Sequence, residues 1–347
     1  MTSTETPYII AGPCSVESRE QLSTIVASLS QMPQVKMIRC GVWKPRTRPG
    51  GFEGLGEPAL QWISELKKEY PNTKFCCEVA STTHVELALQ YGIDALWVGA
   101  RTAGNPFSMT ELTESLKGCD LPIMIKNPMT PDANAWIGAI ERCQHVGLTH
   151  VAAIHRGFDV YNNMGYRNNP LWEVPIELHR RMPELPIICD PSHISGRSDW
   201  VAKLSQTALD FNFDGLMIEV HNQPQNALTD AQQQITPKEL ETLLNNLVMR
   251  QEGDSTNNDL VILREKIDLI DDDLMKLLEQ RIDLVREIAK IKARQNMTIV
   301  QPKRWEEKVK NQMEHAQKLG ISKDFIKELF EKIHAESVRI QETLINK

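Results

Sequence analysis

Val151-Ala152-Ala153-Ile154 is four apolar residues in a row, and His155-Arg156 follows at once. The run is too short for a helix and is bounded by β-branched residues, which favour a strand. Having no polar alternation, it reads as a strand covered on both faces, as in a parallel sheet. Seven more runs of this kind occur in the first 250 residues: Tyr8-Ile10, Met37-Cys40, Phe75-Val79, Ala95-Val98, Ile123-Ile125, Ile187-Cys189 and Leu216-Val220. Between them lie stretches with helical spacing, such as Leu22/Ile25/Val26/Leu29, Leu60/Ile63/Leu66 and Trp136/Ile137/Ile140. Strand and helix alternate eight times, which predicts a (β/α)8 TIM barrel.

In such a barrel the groups at the C-terminal ends of the strands and on the loops that follow share one rim. Here those positions carry Cys14, Arg39, Lys44, Arg46, Glu78, Arg101, Lys126, Arg156, His193 and Glu219. One solvated Lys or Arg at a strand end means little. Several converging on one rim predict a site for a small, multiply anionic substrate, because guanidinium forks and ammonium groups neutralise phosphate and carboxylate.

The whole chain excludes several other classes. At 347 residues with 41% hydrophobic content it can bury a full core and exceeds one ordinary domain. A net charge of −7 argues against nucleic acid as a partner, since that affinity rests on an excess of Lys and Arg. No stretch approaches the length of a membrane span, and the first residues lack the charged and apolar regions of a signal peptide. The expectation is a soluble, cytoplasmic protein. Seven cysteines without regular spacing read as reduced thiols, with Cys40, Cys76, Cys77, Cys119, Cys143 and Cys189 as small core fillers.

Lys44-Pro45-Arg46-Thr47 sets two cations around a stiffening proline and ends in a hydroxyl, a pattern suited to a phosphate ester. Cys14 follows the first strand, His193 the seventh and Glu219 the eighth, with Asp230 eleven residues on. A thiolate, an imidazole and two carboxylates suit a first-row divalent ion such as Mn, Fe, Co or Zn better than Mg or Ca. Each also has a plain structural reading: Cys14 as core filler, His193 as a turn residue, Asp230 as a helix cap. Glu78 either faces charge developing in a reaction or pairs with a neighbouring cation.

These motifs together resemble a known family. Gly12-Pro13-Cys14-Ser15, Lys44-Pro45-Arg46-Thr47, Gly99-Ala100-Arg101, Lys126-Asn127-Pro128, His155-Arg156-Gly157, Asp190-Pro191-Ser192-His193 and Ile218-Glu219-Val220-His221 are similar to those of 3-deoxy-D-arabino-heptulosonate 7-phosphate (DAHP) synthase of the type I-beta kind, over about residues 7 to 250. The resemblance implies metal-dependent condensation of phosphoenolpyruvate with erythrose 4-phosphate. It implies Cys14, His193, Glu219 and Asp230 as metal ligands. Arg39, Arg101, Lys126 and Arg156 would hold phosphoenolpyruvate, and Lys44, Arg46 and Thr47 erythrose 4-phosphate, with Lys44 and Lys126 in catalytic roles. 3-Deoxy-D-manno-octulosonate 8-phosphate synthase is the nearest rival; it resembles Lys-Ala-Asn-Arg-Ser-Ser at the sugar-phosphate loop, where this chain has Lys44-Pro45-Arg46-Thr47. A departure from the DAHP synthase pattern is Arg48-Pro49-Gly50-Gly51, where many relatives carry smaller polar residues. A barrel that only binds sugar phosphates is a further alternative, which the metal-ligand set disfavours.

The polar run from Arg250 to Asn258 marks a change of grammar. The expected domains are a barrel over 1–250, a linker over 251–258 and an all-helical unit over 259–347. Leu263, Ile267, Ile270, Leu274 and Leu277 step by four and three, as a helix–helix seam requires. Three helices are predicted: Asp259 to about Gln295, about Lys303 to Lys318 with Gly320 as a stop, and Lys323 to Asn346. The stepping next lands on Arg281, with Lys292 eleven residues later on nearly the same face. A cation in a seam calls for a bound anion or, alternatively, sets the register of a coiled coil.

Leu263-Arg264-Glu265-Lys266-Ile267, Gln280-Arg281, Ala289-Lys290-Ile291-Lys292, Arg304 and Ser337-Val338-Arg339-Ile340-Gln341 resemble the all-helical chorismate mutase class. That resemblance implies an intertwined homodimer whose chorismate pocket is lined by Arg281, Lys292, Arg304, Ser337 and Gln341, with Arg264 entering from the other chain. Lys292 and Gln341 would act catalytically by donating to the ether oxygen. Gln301 stands where an acid is common, and Trp305 where a glutamate is usual. A non-catalytic, dimerising effector module is therefore the alternative. Fusion of the two activities also predicts feedback by prephenate or chorismate on the barrel.

Overall fold

The structure is a computed structural model, and residues 6–44, 50–161, 165–250 and 258–345 are described from it. It divides into two compact units, Met1–Gln251 and Glu252–Lys347. In the first, eight strands close in sequence order into a parallel barrel: β1 (Tyr8–Gly12), β2 (Val35–Cys40), β3 (Phe75–Val79), β4 (Ala95–Val98), β5 (Ile123–Lys126), β6 (Val151–His155), β7 (Ile187–Cys189) and β8 (Gly215–Glu219). The helices among them are α1 (Arg19–Leu29), α2 (Glu57–Glu69), α3 (Thr82–Gln90), α4 (Ala100–Ala103), α5 (Pro106–Ser115), α6 (Ala133–His145), α7 (Glu173–Arg181), α8 (Pro191–Ser195), α9 (Val201–Asp210) and α10 (Pro237–Asn246). All eight expected runs are strands. β1 continues two residues further than its apolar run, to Gly12, and β8 sits one residue earlier. The four-residue helix α4 and five-residue α8 are too short for hydrophobic periodicity to reveal.

Alternation along the strands builds two cores. Ile9, Ala11, Ile38, Phe75, Leu96, Ile125, Ala153 and Leu216 pack outward against the helices, whose buried faces include the expected Leu22, Ile25, Leu60, Ile63, Trp136 and Ile140. Ile10, Met37, Cys76, Ala95, Trp97, Met124, Ile154, Ile188 and Met217 fill the barrel interior. Because side chains alternate with a period of two, the next inward positions towards the C-terminal end are Arg39, Glu78, Lys126, Arg156, Asp190 and Glu219. The polar rim is thus the top layer of the same stack. Trp97 plugs the barrel beneath it, with the Arg39 guanidinium 5.1 Å from the centre of its ring.

One outward group is unusual. His155 is buried among Trp172, Phe158, Phe213 and Trp136, at ring separations of 5.2, 5.7, 6.1 and 6.3 Å. Burial, helped by Arg156 next to it, pushes its pKa down from 6.5 to about 3, so the folded protein holds it neutral. The unfolded chain takes up that proton first as pH falls, so stability decreases from about pH 6.5 towards pH 3. His155→Leu is expected to reduce the stability lost between pH 7 and pH 4.5 by about 2 kcal/mol, read from urea unfolding of the barrel's near-UV dichroism. An unchanged difference would refute this assignment.

The second unit is three helices: α11 (Asn258–Arg294), α12 (Pro302–Lys318) and α13 (Lys323–Ile345). α12 stops just before Gly320, whose φ is +72°. The expected seam runs along α11, but within one chain it is not covered: Leu263, Ile267, Ile270, Leu274 and Leu277 are each more than half exposed. Only Val285, Ala289 and Ala316 are buried apolar residues of this unit among those described.

Candidate active site

The rim is organised by buried carboxylates. Asp190, the residue after β7, is fully buried and caps α8 by accepting from the His193 backbone N–H at 3.1 Å. Its Oδ2 lies 2.9 Å from Lys126 Nζ, 2.7 Å from His193 Nδ1 and 3.9 Å from an Arg39 guanidinium nitrogen. Burial opposes its charge, but His193 and Lys126 outweigh burial and hold it well below the usual carboxylate range. Glu219, at the end of β8, takes Arg39 Nη2 at 3.0 Å on Oε1 and accepts from Gln233 Nε2 at 2.6 Å on Oε2. His193 and Arg39 likewise overcome its burial and lower its pKa.

Cys14 lies on the loop after β1. Its buried thiol donates to Asp230 Oδ2 at 3.3 Å, and Lys44 Nζ approaches the sulfur to 3.0 Å and the Cys14 carbonyl to 3.2 Å. The close packing of this loop explains a glycine. A Cβ on Gly41 would lie 1.8 Å from the Cys14 carbonyl oxygen, so any side chain there displaces the thiol. Burial, aided by the charge of Glu219, raises the thiol pKa to about 12. Asp230 adopts a left-handed conformation at φ +48° and is held there by Arg167, 3.0 Å from its Oδ1. Arg167, with His193 and Lys44, more than offsets burial and keeps Asp230 ionised.

Ligand atoms of Cys14, Glu219 and Asp230 all lie within 4.8 Å of one another. His193 falls just outside that group; its Nε2 is 3.7 Å from Glu219 Oε1. With Nδ1 facing Asp190, Nε2 is the nitrogen left to coordinate, the usual division of labour in a metal-bound imidazole. This donor set fits a divalent ion, which would displace to solvent a thiol proton otherwise lost only near 12.

Of the expected phosphoenolpyruvate residues, Arg39, Lys126 and Arg156 are buried on this rim. Arg156 is pulled down to about 10, by burial first and, against the opposing charge of Asp190, by Arg167 and Arg101, and it carries charge at neutral pH. Arg101, on α4, is exposed. Arg46 and Thr47 lie outside the described residues. Among the described residues, the hydrogen bond that Glu78 accepts comes from the Trp97 indole N–H, at 3.0 Å. Arg167, Gln233 and Gln234, which accepts from the Cys14 backbone N–H at 3.0 Å, were not singled out from sequence. They lie more than ten residues along the loops after β6 and β8 and carry no motif.

In the helical unit a cavity of about 320 Å³ is lined by Arg281, Lys292, Arg304, Ser337 and Gln341, the set expected from one chain. Arg281 Nη1 donates to Ser337 Oγ at 2.6 Å, and Lys292 Nζ to the Ile299 carbonyl at 2.5 Å. Gln341 Nε2 donates to the Ser337 carbonyl at 3.1 Å, while its buried Oε1 has no partner among the described residues. Arg264 is not among the lining residues. Gln301 and Trp305 are.

Residues 3–253 match the DAHP synthetase I family. The chain belongs to this family. Residues 263–342 match chorismate mutase type II, so a DAHP synthase domain and a chorismate mutase domain are both present. The phospho-2-dehydro-3-deoxyheptonate aldolase of Thermotoga maritima is 33% identical over 227 residues, covering 65% of this chain and 64% of that protein. The chain therefore spans just under two thirds of that relative. A crystal structure of the Thermotoga maritima DAHP synthase superposes with a TM-score of 0.63 at 31% identity, over 70% of this chain and 68% of that one. The 2-dehydro-3-deoxyphosphooctonate aldolase of Wolinella succinogenes is 24% identical, over 70% of this chain and 99% of its own. No helix among the described residues is long and apolar enough to cross a membrane.

Proposed function

We propose that the barrel, residues 1–250, condenses phosphoenolpyruvate with erythrose 4-phosphate to DAHP and phosphate, and that the helical unit, residues 259–347, rearranges chorismate to prephenate, with 251–258 as the linker. The observation that carries the first activity is the meeting of Cys14, Glu219 and Asp230 on the rim that also holds Arg39, Lys126 and Arg156. Cys14, His193, Glu219 and Asp230 would hold a divalent ion of the Mn, Fe, Co or Zn type, which would supply Lewis acidity for the aldehyde. Arg39, Arg101, Lys126 and Arg156 bind the phosphate and carboxylate of phosphoenolpyruvate and aim its terminal carbon at the aldehyde. Lys44, Arg46 and Thr47 hold the aldose phosphate. As the carbon–carbon bond forms, positive charge develops on the enol carbon, water adds there, and phosphate leaves. Positioning accounts for much of the rate. Lys44 is placed beside the thiol to donate the proton that the new alkoxide takes.

For the helical unit the supporting observation is the cationic cavity. The rearrangement needs no nucleophile, only a compact substrate conformer and donors at the ether oxygen, here Lys292 and Gln341. The uncovered apolar face of α11 supports a homodimer: covering each half-exposed Leu or Ile contributes roughly 1 kcal/mol, and the partner would bring its Arg264 to the pocket. A cytoplasmic setting and feedback of prephenate or chorismate on the barrel belong to the same reading.

Phosphate release from phosphoenolpyruvate tests it, using aldose phosphates of four and five carbons with metal added or withheld, beside loss of chorismate. The expected result is release with erythrose 4-phosphate at least tenfold faster than with a five-carbon aldose, only with metal, and chorismate turnover by the same protein. Preference for the longer aldose would move the chain to the octulosonate class. Absence of chorismate turnover would leave the helical unit as an effector module.

A further inference from the structure

The helical cavity holds more positive charge than the five residues expected from this chain explain. Lys308 follows Arg304 by one turn of α12 and lines the same cavity, which then carries Arg281, Lys292, Arg304 and Lys308 and no acidic residue. Among the described residues Lys308 makes no ion pair; its ammonium lies 5.8 Å from the centre of the Phe330 ring. Burial lowers its pKa, and Arg281 and Arg304 lower it further. His334, which lines the same cavity, is stacked flat on Trp305, with ring centres 3.9 Å apart and planes 15° from parallel. Its pKa too is lowered by burial, then by Arg281, Lys308 and Lys292, so at neutral pH it adds a hydrogen-bonding group without adding charge. Four like charges gathered at one cavity cost free energy until an anion arrives. A single carboxylate leaves three of them uncompensated.

We propose that Lys308 is a ligand-binding residue of this pocket that selects cyclic dicarboxylates over monocarboxylates of the same skeleton, with Trp305 and His334 forming the wall that holds the ring against it. Lys308 anchors the second carboxylate. The apolar remainder of the lining, including Val285 and Ile288, accepts the ring. The inference rests on the mutase reading for its choice of probe and not for its physics.

The test is calorimetric titration of the full-length protein with prephenate, a ring dicarboxylate, and with phenylpyruvate, a monocarboxylate that lacks the ring carboxylate and the ring hydroxyl and has an aromatic ring. Lys308→Met is expected to weaken prephenate binding about tenfold and to change phenylpyruvate binding less than twofold, while Lys308→Arg stays within about threefold of the parent for both. Should the methionine variant fold poorly, Lys308→Gln removes the charge and keeps a polar tip. Equal losses for the two ligands, an unchanged prephenate affinity, an arginine variant as weak as the methionine one, or a parent protein that binds neither ligand would each overturn the proposal. Lys308-dependent prephenate binding without chorismate turnover would remove the mutase reading and leave this one standing. Turnover with a Lys308→Met KM equal to that of the parent would do the reverse.

Discussion

Asp190→Asn is expected to lower kcat/KM for DAHP formation at least a thousandfold and to destabilise the barrel by about 3–5 kcal/mol, the usual cost of removing one member of a buried ion pair. Asparagine keeps the shape and still accepts from the His193 backbone N–H, so α8 retains its cap. The loss lies in the charge. Lys126 and His193 both face Asp190 Oδ2 within 2.9 Å, and Arg39 lies just beyond. An amide there offers either an N–H against three donors or an oxygen with no negative charge. Lys126 and Arg39 are then buried with one fewer anion, and the imidazole loses the acceptor that turns Nε2 towards Glu219. Metal affinity is expected to fall about 10–100-fold, as for other losses of a ligand's supporting hydrogen bond. Steady-state kinetics at saturating metal and a metal titration separate the two effects. A variant within tenfold of the parent in kcat/KM would remove Asp190 from the centre of the site.

Chelation is expected to bring the condensation to background, and Cys14→Ser to prevent its recovery at metal concentrations that restore the parent. The sulfur is the soft donor of the set, and its replacement by a hydroxyl removes a donor whose proton a metal would displace far more readily than that of an alcohol. Lys44 Nζ lies 3.0 Å from the sulfur and faces the thiolate that an ion would hold there. The expected loss at fixed metal is above a thousandfold, about 4 kcal/mol or more in transition-state stabilisation. Chorismate loss is expected to be unaffected by chelator, because no step there uses a metal. A chelated protein that still releases phosphate when supplied with erythrose 4-phosphate would contradict the account of the barrel.

How far the chain could be read without coordinates follows from what its side chains encode locally. The strands were legible because each is a short apolar run bounded by polar residues. The rim was legible because polar groups at strand ends have one place to go in a closed parallel barrel. Arg39, Lys126, Arg156 and Glu219 meet there as expected. Asp190 stood inside a recognised motif, yet nothing in Asp190-Pro191-Ser192-His193 says that a fully buried carboxylate serves two cations and an imidazole. That is a property of three strands meeting. Arg167 was invisible for the same reason: it sits in a loop, and its partner Asp230 is 63 residues away. The α11 seam was visible as a pattern of four and three, but a pattern does not say whether the partner helix is in the same chain. Here the chain leaves it open. Lys308 escaped notice because a lone lysine on an amphipathic helix is ordinarily a solvated one.

The most direct test is anomalous X-ray diffraction from crystals grown with Mn(II) and phosphoenolpyruvate. The account predicts one strong peak coordinated by Cys14 Sγ, His193 Nε2, Glu219 and Asp230, with the phosphoenolpyruvate carboxylate and phosphate held by Lys126, Arg156 and Arg101 beside it. A peak elsewhere, or an ion that ignores the Cys14 sulfur while phosphoenolpyruvate occupies the rim, would contradict it.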